Sequence, residues 1–381
     1  MTTSRARLWI LVHAVVVLLP LVGMVVRGPW DVRLWGVELP PLLGTPSFAS
    51  WWTERLQPQF QLWFEARIGL RAAMVRTDNT LQNFVFGDAK PGSYVVVGEQ
   101  GMPFAGDDVR YLGTPRRDLP IITARVEALT ALLASVHRKL AARGKALVVV
   151  ISPSKSTIYP EYVPRRWRVP GPAERSDLAE YEALRAGLVR SGVPFGDGHA
   201  IFASAPVEER ELLFAWGGRH WTSVGACRVL RGALASGPVT PTCEWRMMPA
   251  DRSRHGDFDL LCLENLWGTD VGLTTVPIAG EPAPVRDPSV VRPRLLLAGT
   301  SFMWMLADLL RPLVDKPVAL FYNNTFFDLT AGRRLSTADP KAADWAEYVL
   351  ERDLYVIDLL ETFAHHDEMR TFLTELDRRL E

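Results

Sequence analysis

Two side chains in this sequence could form an acyl-transfer pair, Ser301 and His220. Ser301 follows Leu295-Leu296-Leu297-Ala298, a short unbroken apolar run of the kind a buried strand shows. Gly299-Thr300-Ser301 interrupts it, and Phe302 to Leu310 resumes with apolar residues at helical spacing. A strand, a tight turn and a helix put Ser301 at the carboxyl end of a strand and on the first turn of a helix. There its own N–H is free and the helix dipole favours negative charge on its oxygen. An α/β fold places chemistry at that position, although a serine that only caps the helix satisfies the same pattern. Acyl transfer also needs a base for the serine proton and donors for the oxyanion. Of seven histidines, His13 lies in an apolar amino-terminal run, His137 within a helical pattern, and His365 and His366 beside the last helix. His199, His220 and His255 remain. His220, in a Gly-Gly turn feeding a helix, is the best placed.

The elements that must position this pair follow from periodicity. Tyr94 to Phe104 reads as a hairpin with a Gly-rich turn. Asp118 to Arg143 reads as a long amphipathic helix stopped by Gly144. Ala146 to Ile151 is a buried strand pattern, and Ser152-Pro153-Ser154-Lys155 leaves its carboxyl end. A helix over Pro172 to Ser191 follows, then Thr222 as the cap of a helix reaching about Ser236. Gly237 to Pro293 is Pro-rich and polar, and reads as extended segments and loops. Beyond Ser301 come a strand over Pro317 to Tyr322, a helix over Lys341 to Arg352, a strand over Leu354 to Asp358 and a helix over Asp367 to Leu380. Strands alternating with helices predict an α/β domain with a mostly parallel sheet from residue 88 to the end. Residues 30–87 read as a linker and a helical segment.

Residues 1–29 read as a cytoplasmic tip and a membrane anchor. Leu8 to Val26 carries no charge over 19 residues, long enough for a transmembrane helix. Arg5 and Arg7 precede it, and Val25-Val26-Arg27-Gly28-Pro29 offers no small-x-small cleavage site. The reading is a single-pass inner-membrane protein with its main domain in the periplasm; a cleaved signal peptide is the alternative. Lys+Arg 43 against Asp+Glu 43 gives zero formal charge, and no basic stripe is interleaved with aromatics, which argues against a nucleic-acid partner. The 13 tryptophans suit a membrane interface or sugar rings. Cys227, Cys243 and Cys262 show neither CxxC nor CxxCH spacing, so no zinc or haem site is expected. One disulfide is possible in an oxidising compartment, with Cys243–Cys262 the pairing expected here.

The contexts of the pair resemble a known family. GRHWTSVGA resembles the DxHWxxxGA segment of the alginate O-acetyltransferase AlgJ/AlgX-like family, and LLLAGTSF resembles its strand ending in GDSF. FEARIGLR with the later VFG, YVVVGEQGMPF and SPSKSTIYPEYVP are similar to three further family segments in the same order. RHGDFDLL and LYVIDLLETF are similar to two later ones, so the resemblance runs from about Phe60 to near the end. It implies an SGNH-hydrolase-like three-layer fold with a mostly parallel sheet, preceded by one amino-terminal transmembrane helix. It also implies Ser301 as nucleophile, His220 as general base, and O-acetylation of an exported polysaccharide through an acetyl-serine, without a cofactor or a metal. A membrane-bound O-acyltransferase would supply the acetyl group at the cytoplasmic membrane.

Two family positions differ. The family's Asp two residues before the His is Gly218 here, and the Asp of GDSF is Thr300. In a serine protease the corresponding carboxylate matters by roughly four orders of magnitude. Three readings follow: a carboxylate from elsewhere, with Asp257 or Asp197 as candidates; a Ser–His dyad oriented by a backbone carbonyl; or a degenerate site in a glycan-binding or assembly subunit. A carbohydrate acetyl esterase is a further alternative. Asn323 and Asn324, which leave the strand after the Ser301 helix, are candidates for the oxyanion or the substrate. So are Lys155 and Tyr159, at the end of another strand.

Overall fold

The computed structural model describes residues 3–26, 28, 31–37, 40, 47–53, 55–87, 93–112, 118–167, 178–249, 258–268, 275–279, 290–322, 324–337 and 345–381. The chain divides into two compact units, Met1–Val95 with Leu261–Gly272, and Val96–Leu260 with Leu273–Glu381.

In the first unit, α1 (Thr3–Gly23) contains 19 residues, Arg5–Gly23, apolar and long enough to cross a bilayer, as an anchor or a signal sequence would. The helical segment expected within residues 30–87 forms three helices, α2 (Phe48–Trp52), α3 (Leu56–Arg67) and α4 (Arg71–Phe86). Arg76 of α4 is buried, donating to the carbonyls of Arg33 (2.8 Å) and Leu266 (3.1 Å).

The second unit holds the pair. Its main sheet has seven strands: β3 (Ala146–Ser152), β4 (Phe195–Asp197), β7 (Arg294–Gly299), β8 (Asp315–Phe321), β9 (Thr325–Asp328), β10 (Arg333–Thr337) and β11 (Leu354–Leu360), in the spatial order β10-β9-β8-β7-β11-β3-β4. The central pairings β8·β7, β7·β11, β11·β3 and β3·β4 are parallel, and β9 and β10 add an antiparallel edge. Two short ribbons lie outside it, β1 (Val95–Val97) with β2 (Pro103–Ala105), and β5 (Trp245–Pro249) with β6 (Thr275–Ala279).

Central parallel strands are covered on both faces, which explains their unbroken apolar runs. On one face Leu147, Val149, Ile151, Leu296, Ala298, Tyr355 and Ile357 pack under α6 (Leu119–Ala141), α8 (Ala179–Ser191) and α14 (Asp367–Arg379). On the other, Val148, Val150, Leu295, Leu297 and Val356 pack under α11 (Ser223–Ala233) and α13 (Met303–Leu310). The result is a three-layer α/β sandwich. α6 is also long and apolar enough to span a membrane, but Val126, Leu129, Leu133, Val136 and Leu140 are spent in the core.

Three expectations change. Lys341 to Arg352 contains a π-helical turn, Ala346–Leu350, its neighbours 341–344 lying outside the described residues. The Pro-rich 237–293 stretch includes a short helix, α12 (Asp259–Leu263), besides β5 and β6. The disulfide joins Cys227 to Cys243 rather than Cys243 to Cys262. Cys227 sits buried on α11, and the chain returns across that helix within 16 residues, whereas Cys262 belongs to α12.

Candidate active site

Ser301 lies just past the carboxyl end of β7, in the turn Thr300-Ser301-Phe302 ahead of α13. It therefore precedes the helix by two residues instead of occupying its first turn. The turn is held from beneath by Asp358 of β11, which is fully buried. Asp358 Oδ2 accepts from Thr300 N–H (3.1 Å) and from Thr300 Oγ1 (2.8 Å), and Oδ1 accepts from Ser152 Oγ of β3. Burial pushes the Asp358 carboxyl up to about 6, partly offset by those hydrogen bonds. The approach also fixes the residue before the turn: a Cβ on Gly299 would come within 2.5 Å of the Asp358 Cβ. Where the family has an Asp, Thr300 therefore binds a carboxylate supplied by the neighbouring strand.

His220 is carried by a small loop closed by a bridge between Phe214 and Trp221. Trp221 is wholly buried and donates from Nε1 to the Phe302 carbonyl (3.1 Å), tying the loop to the Ser301 turn 81 residues away. The His220 ring meets the Phe302 ring edge-on, centroids 4.8 Å apart. In this arrangement His220 Nε2 is 2.8 Å from Ser301 Oγ. On the other side of the ring, Nδ1 is 2.8 Å from Oδ2 of Asp259, the first residue of α12. That approach is an ion-pair contact lying off the ring N–H direction. Asp259 Oδ1 accepts from the N–H groups of Arg219 (2.7 Å) and Leu260 (2.9 Å), which fixes the rotation of the carboxylate.

The loop around Gly218 is held by a buried ammonium and an ion pair. Lys155 Nζ donates to the carbonyls of Pro103 (3.1 Å), Trp216 (2.5 Å) and Gly218 (3.0 Å), with only 1% of the residue exposed. Arg219 donates from Nη2 to Asp108 Oδ1 (2.7 Å). Burial raises the Asp108 carboxyl, and the Arg219 guanidinium opposes that rise. An ammonium capping loop carbonyls and an ion pair beside it hold the His220 backbone without a side chain at position 218.

The remaining sequence candidates are placed differently. Asp197 caps α9 (Gly198–Ala203), accepting from Ala200 N–H (2.9 Å), Tyr181 and Arg185, so its lone pairs are committed at the end of β4. Asp257 and Asn323 lie outside the described residues. Asn324 is exposed and accepts from Thr325 Oγ1 (2.8 Å), with no contact to Ser301 among the described residues. Lys155 faces backbone carbonyls, and Tyr159 donates to the Arg210 carbonyl (2.6 Å). Desolvation raises the Tyr159 hydroxyl well above its usual value. Asp259 was not among the sequence candidates. It stands two residues beyond Asp257 in the same RHGDFDLL segment, and the signal was an acidic residue opening a short apolar run, as at a helix start. Ser301 N–H makes no hydrogen bond among the described residues and is available as an oxyanion donor.

Residues 114–236, which include His220, match the family model described as "SGNH hydrolase-like domain, acetyltransferase AlgX". Over that third of the chain, the sequence is similar to the AlgX family domain. Among solved structures, the O-acetyltransferase domain of Pseudomonas putida AlgJ is similar over 75% of this chain and 99% of its own, at 17% identity and a TM-score of 0.47. Pseudomonas aeruginosa AlgX is similar over 76% and 67%, at 15% identity and a TM-score of 0.44. Bacillus cereus PatB1 with a sulfonyl adduct is similar over 65% and 93%, at 9% identity and a TM-score of 0.42. Comparison with curated protein sequences gives no match. In this chain a carboxylate from α12 approaches the histidine, and position 218 is glycine.

Proposed function

We propose that this protein transfers acetyl groups to hydroxyls of an exported polysaccharide through an acetyl-Ser301 intermediate. The observation that carries the reading is the line of contacts Ser301 Oγ to His220 Nε2 and His220 Nδ1 to Asp259, each 2.8 Å. His220 takes the Ser301 proton as the oxygen attacks the donor carbonyl, and Asp259 steadies the imidazolium that forms. The Ser301 N–H lies beside the attacking oxygen and supports the oxyanion. Collapse expels the donor's leaving group with the proton from His220. A sugar hydroxyl then gives its proton to His220 and attacks acetyl-Ser301, regenerating the serine and forming the sugar acetate. α1 supports a location at the cytoplasmic membrane with the second unit outside, where a membrane-bound O-acyltransferase could supply acetyl groups. The description "acetyltransferase AlgX" supports acetyl transfer, and the polysaccharide acceptor is what the sequence resemblance implies.

The test is p-nitrophenyl acetate turnover by the full chain, with intact-protein mass spectrometry after acid quench. A 42 Da adduct on Ser301, lost in Ser301→Ala together with turnover, is the expected result; equal rates in both proteins would refute the reading. Adding an oligosaccharide acceptor separates transfer from plain hydrolysis, since a transferase yields acetylated sugar and an esterase only acetate.

A further inference from the structure

The loop that presents His220 to Ser301 has a second flank, and that flank lines a cavity of about 490 Å³. Phe214, Ala215, Trp216 and Thr222 form one wall, Tyr159 and Tyr162 another, and Met247 with Val276 and Pro277 of the β5–β6 ribbon a third. Neither Ser301 nor His220 lines it. We infer that this cavity is a subsite for one or two neutral sugar units, gripping acceptor glycan behind the loop that carries the base. This deepens the acetyl-transfer reading by naming the acceptor's chemical class, and rests on that reading for the cavity's purpose.

Three observations converge on a sugar. The volume falls within the range of small-ligand sites. Two aromatic side chains with polar edges, Tyr162 and Trp216, meet at a 76° angle with centroids 5.7 Å apart, a corner offering a ring face and a ring edge. Sugars present apolar C–H faces and a rim of hydroxyls, which such a corner matches. Finally, the polar groups available suit hydroxyls. The Tyr162 hydroxyl, the Trp216 indole N–H and the Glu211 carboxylate make no hydrogen bond among the described residues, giving donors and an acceptor around one space.

Charge selects among sugars. Lys155 and Arg210 are matched in the lining by Glu161 and Glu211, Arg210 Nη1 lies 3.8 Å from Glu161, and Lys155 is turned to backbone carbonyls. No surplus positive charge remains for a uronate, so neutral hexoses fit better than an anionic polymer. An acyl chain fits worse, because the charged side chains of Glu161, Arg210 and Glu211 would lose water to it without gaining a partner. The cavity is also coupled to chemistry. The Trp216 carbonyl and the Gly218 carbonyl share the Lys155 ammonium, so a sugar stacked on Trp216 bears on the segment that sets His220.

The experiment is calorimetric titration of the full chain in lipid nanodiscs with neutral tetrasaccharides (cellotetraose, mannotetraose and maltotetraose) and with tetramannuronate. Saturable binding of at least one neutral tetrasaccharide, weakened about tenfold or more by Trp216→Ala, is expected, since truncating an aromatic side chain that a ligand covers has effects of that size. Tyr162→Phe and Glu211→Gln, which keep shape and packing, should each weaken it by about threefold or more. Ser301→Ala should bind as the parent does, so loss of acetyl transfer and loss of sugar binding are read separately. Tighter binding of tetramannuronate, or affinities unchanged in all three cavity variants, overturns the inference. So does the absence of saturable binding by every neutral probe up to about 10 mM, the weak limit of a specific site.

Discussion

Replacing Asp259 by Asn probes the assembled site most directly. Asp259 Oδ1 is committed to two backbone donors, Arg219 N–H and Leu260 N–H. An Asn amide oxygen must keep that place, which turns its NH₂ toward His220 Nδ1. The amide then donates to Nδ1, the ring proton moves to Nε2, and the imidazole faces Ser301 in the tautomer unable to accept its proton. The lost charge adds to this. Opposite charges centred about 4 Å apart at an effective dielectric constant of about 20 interact by about 4 kcal/mol. His220 and Asp259 are 15% and 20% exposed, and the contact lies off the N–H direction, so water and geometry reduce that figure. About 3–4 kcal/mol of transition-state stabilisation is the expected loss, a fall in kcat of roughly 10²–10³-fold. KM should change little, because the carboxylate acts through the imidazole. Asp259→Ala lacks the amide donor, so it should be no slower than Asp259→Asn. The assay is the steady-state and pre-steady-state release of p-nitrophenol from its acetate, with thermal unfolding recorded for each variant. A folded Asp259→Asn protein within threefold of the parent rate would refute the role assigned to this carboxylate. An Asn variant faster than the Ala variant would refute the tautomer argument.

Lys155→Met preserves length but leaves the carbonyls of Pro103, Trp216 and Gly218 without their shared donor, at about 1–3 kcal/mol each if they stay buried. Both kcat and the unfolding midpoint should fall, and an unchanged kcat in the folded variant would show that the ammonium does not set the His220 loop. Asp358 ionises at about 6 in the fold against 3.8 in the unfolded chain, so the folded state binds its proton more tightly. Its contribution to stability is then fully present below about pH 4 and lost as pH rises through 6, by about 3 kcal/mol for a shift of about two units. Chemical denaturation of parent and Asp358→Asn between pH 4 and 7.5 should show the parent gaining on the variant as pH falls; the opposite trend would be inconsistent with a carboxyl raised by burial. Trp221→Ala removes a wholly buried indole and its bond to Phe302, and should destabilise the domain by about 3–5 kcal/mol by denaturant titration. Trp221→Phe should recover most of the packing while kcat remains low, because the tie between the loop and the Ser301 turn is still missing.

Much of the frame was legible in the chain because it is written in local physics. The apolar runs 146–151, 295–298 and 354–357 are long enough, and free enough of charge, to be read as central parallel strands. Thr222 has the residue type a cap needs, and it accepts from Gly225 N–H in the structure. The Gly-Gly turn before His220 and the Gly-Thr-Ser break after β7 marked two places where the backbone turns at the end of an element. The antiparallel β9–β10 edge was not legible, since Thr325–Asp328 and Arg333–Thr337 are short and mixed, and pairing with β8 is what makes them strands.

The sequence by itself determined the alternation of strands and helices, the apolar amino-terminal helix, and the two turns bearing Ser301 and His220. Only the tertiary structure decided which carboxylate approaches the histidine, that Thr300 rests on Asp358, that Lys155 serves carbonyls instead of solvent, and that Cys227 pairs with Cys243. The reason is one of range. Helices, strands and turns depend on neighbours a few residues apart, whereas Asp259, Asp358 and Lys155 lie 39, 58 and 63 positions from His220, Thr300 and Gly218, the groups they serve. No local periodicity records which distant side chain fills the space a missing one leaves; packing of the layers selects it.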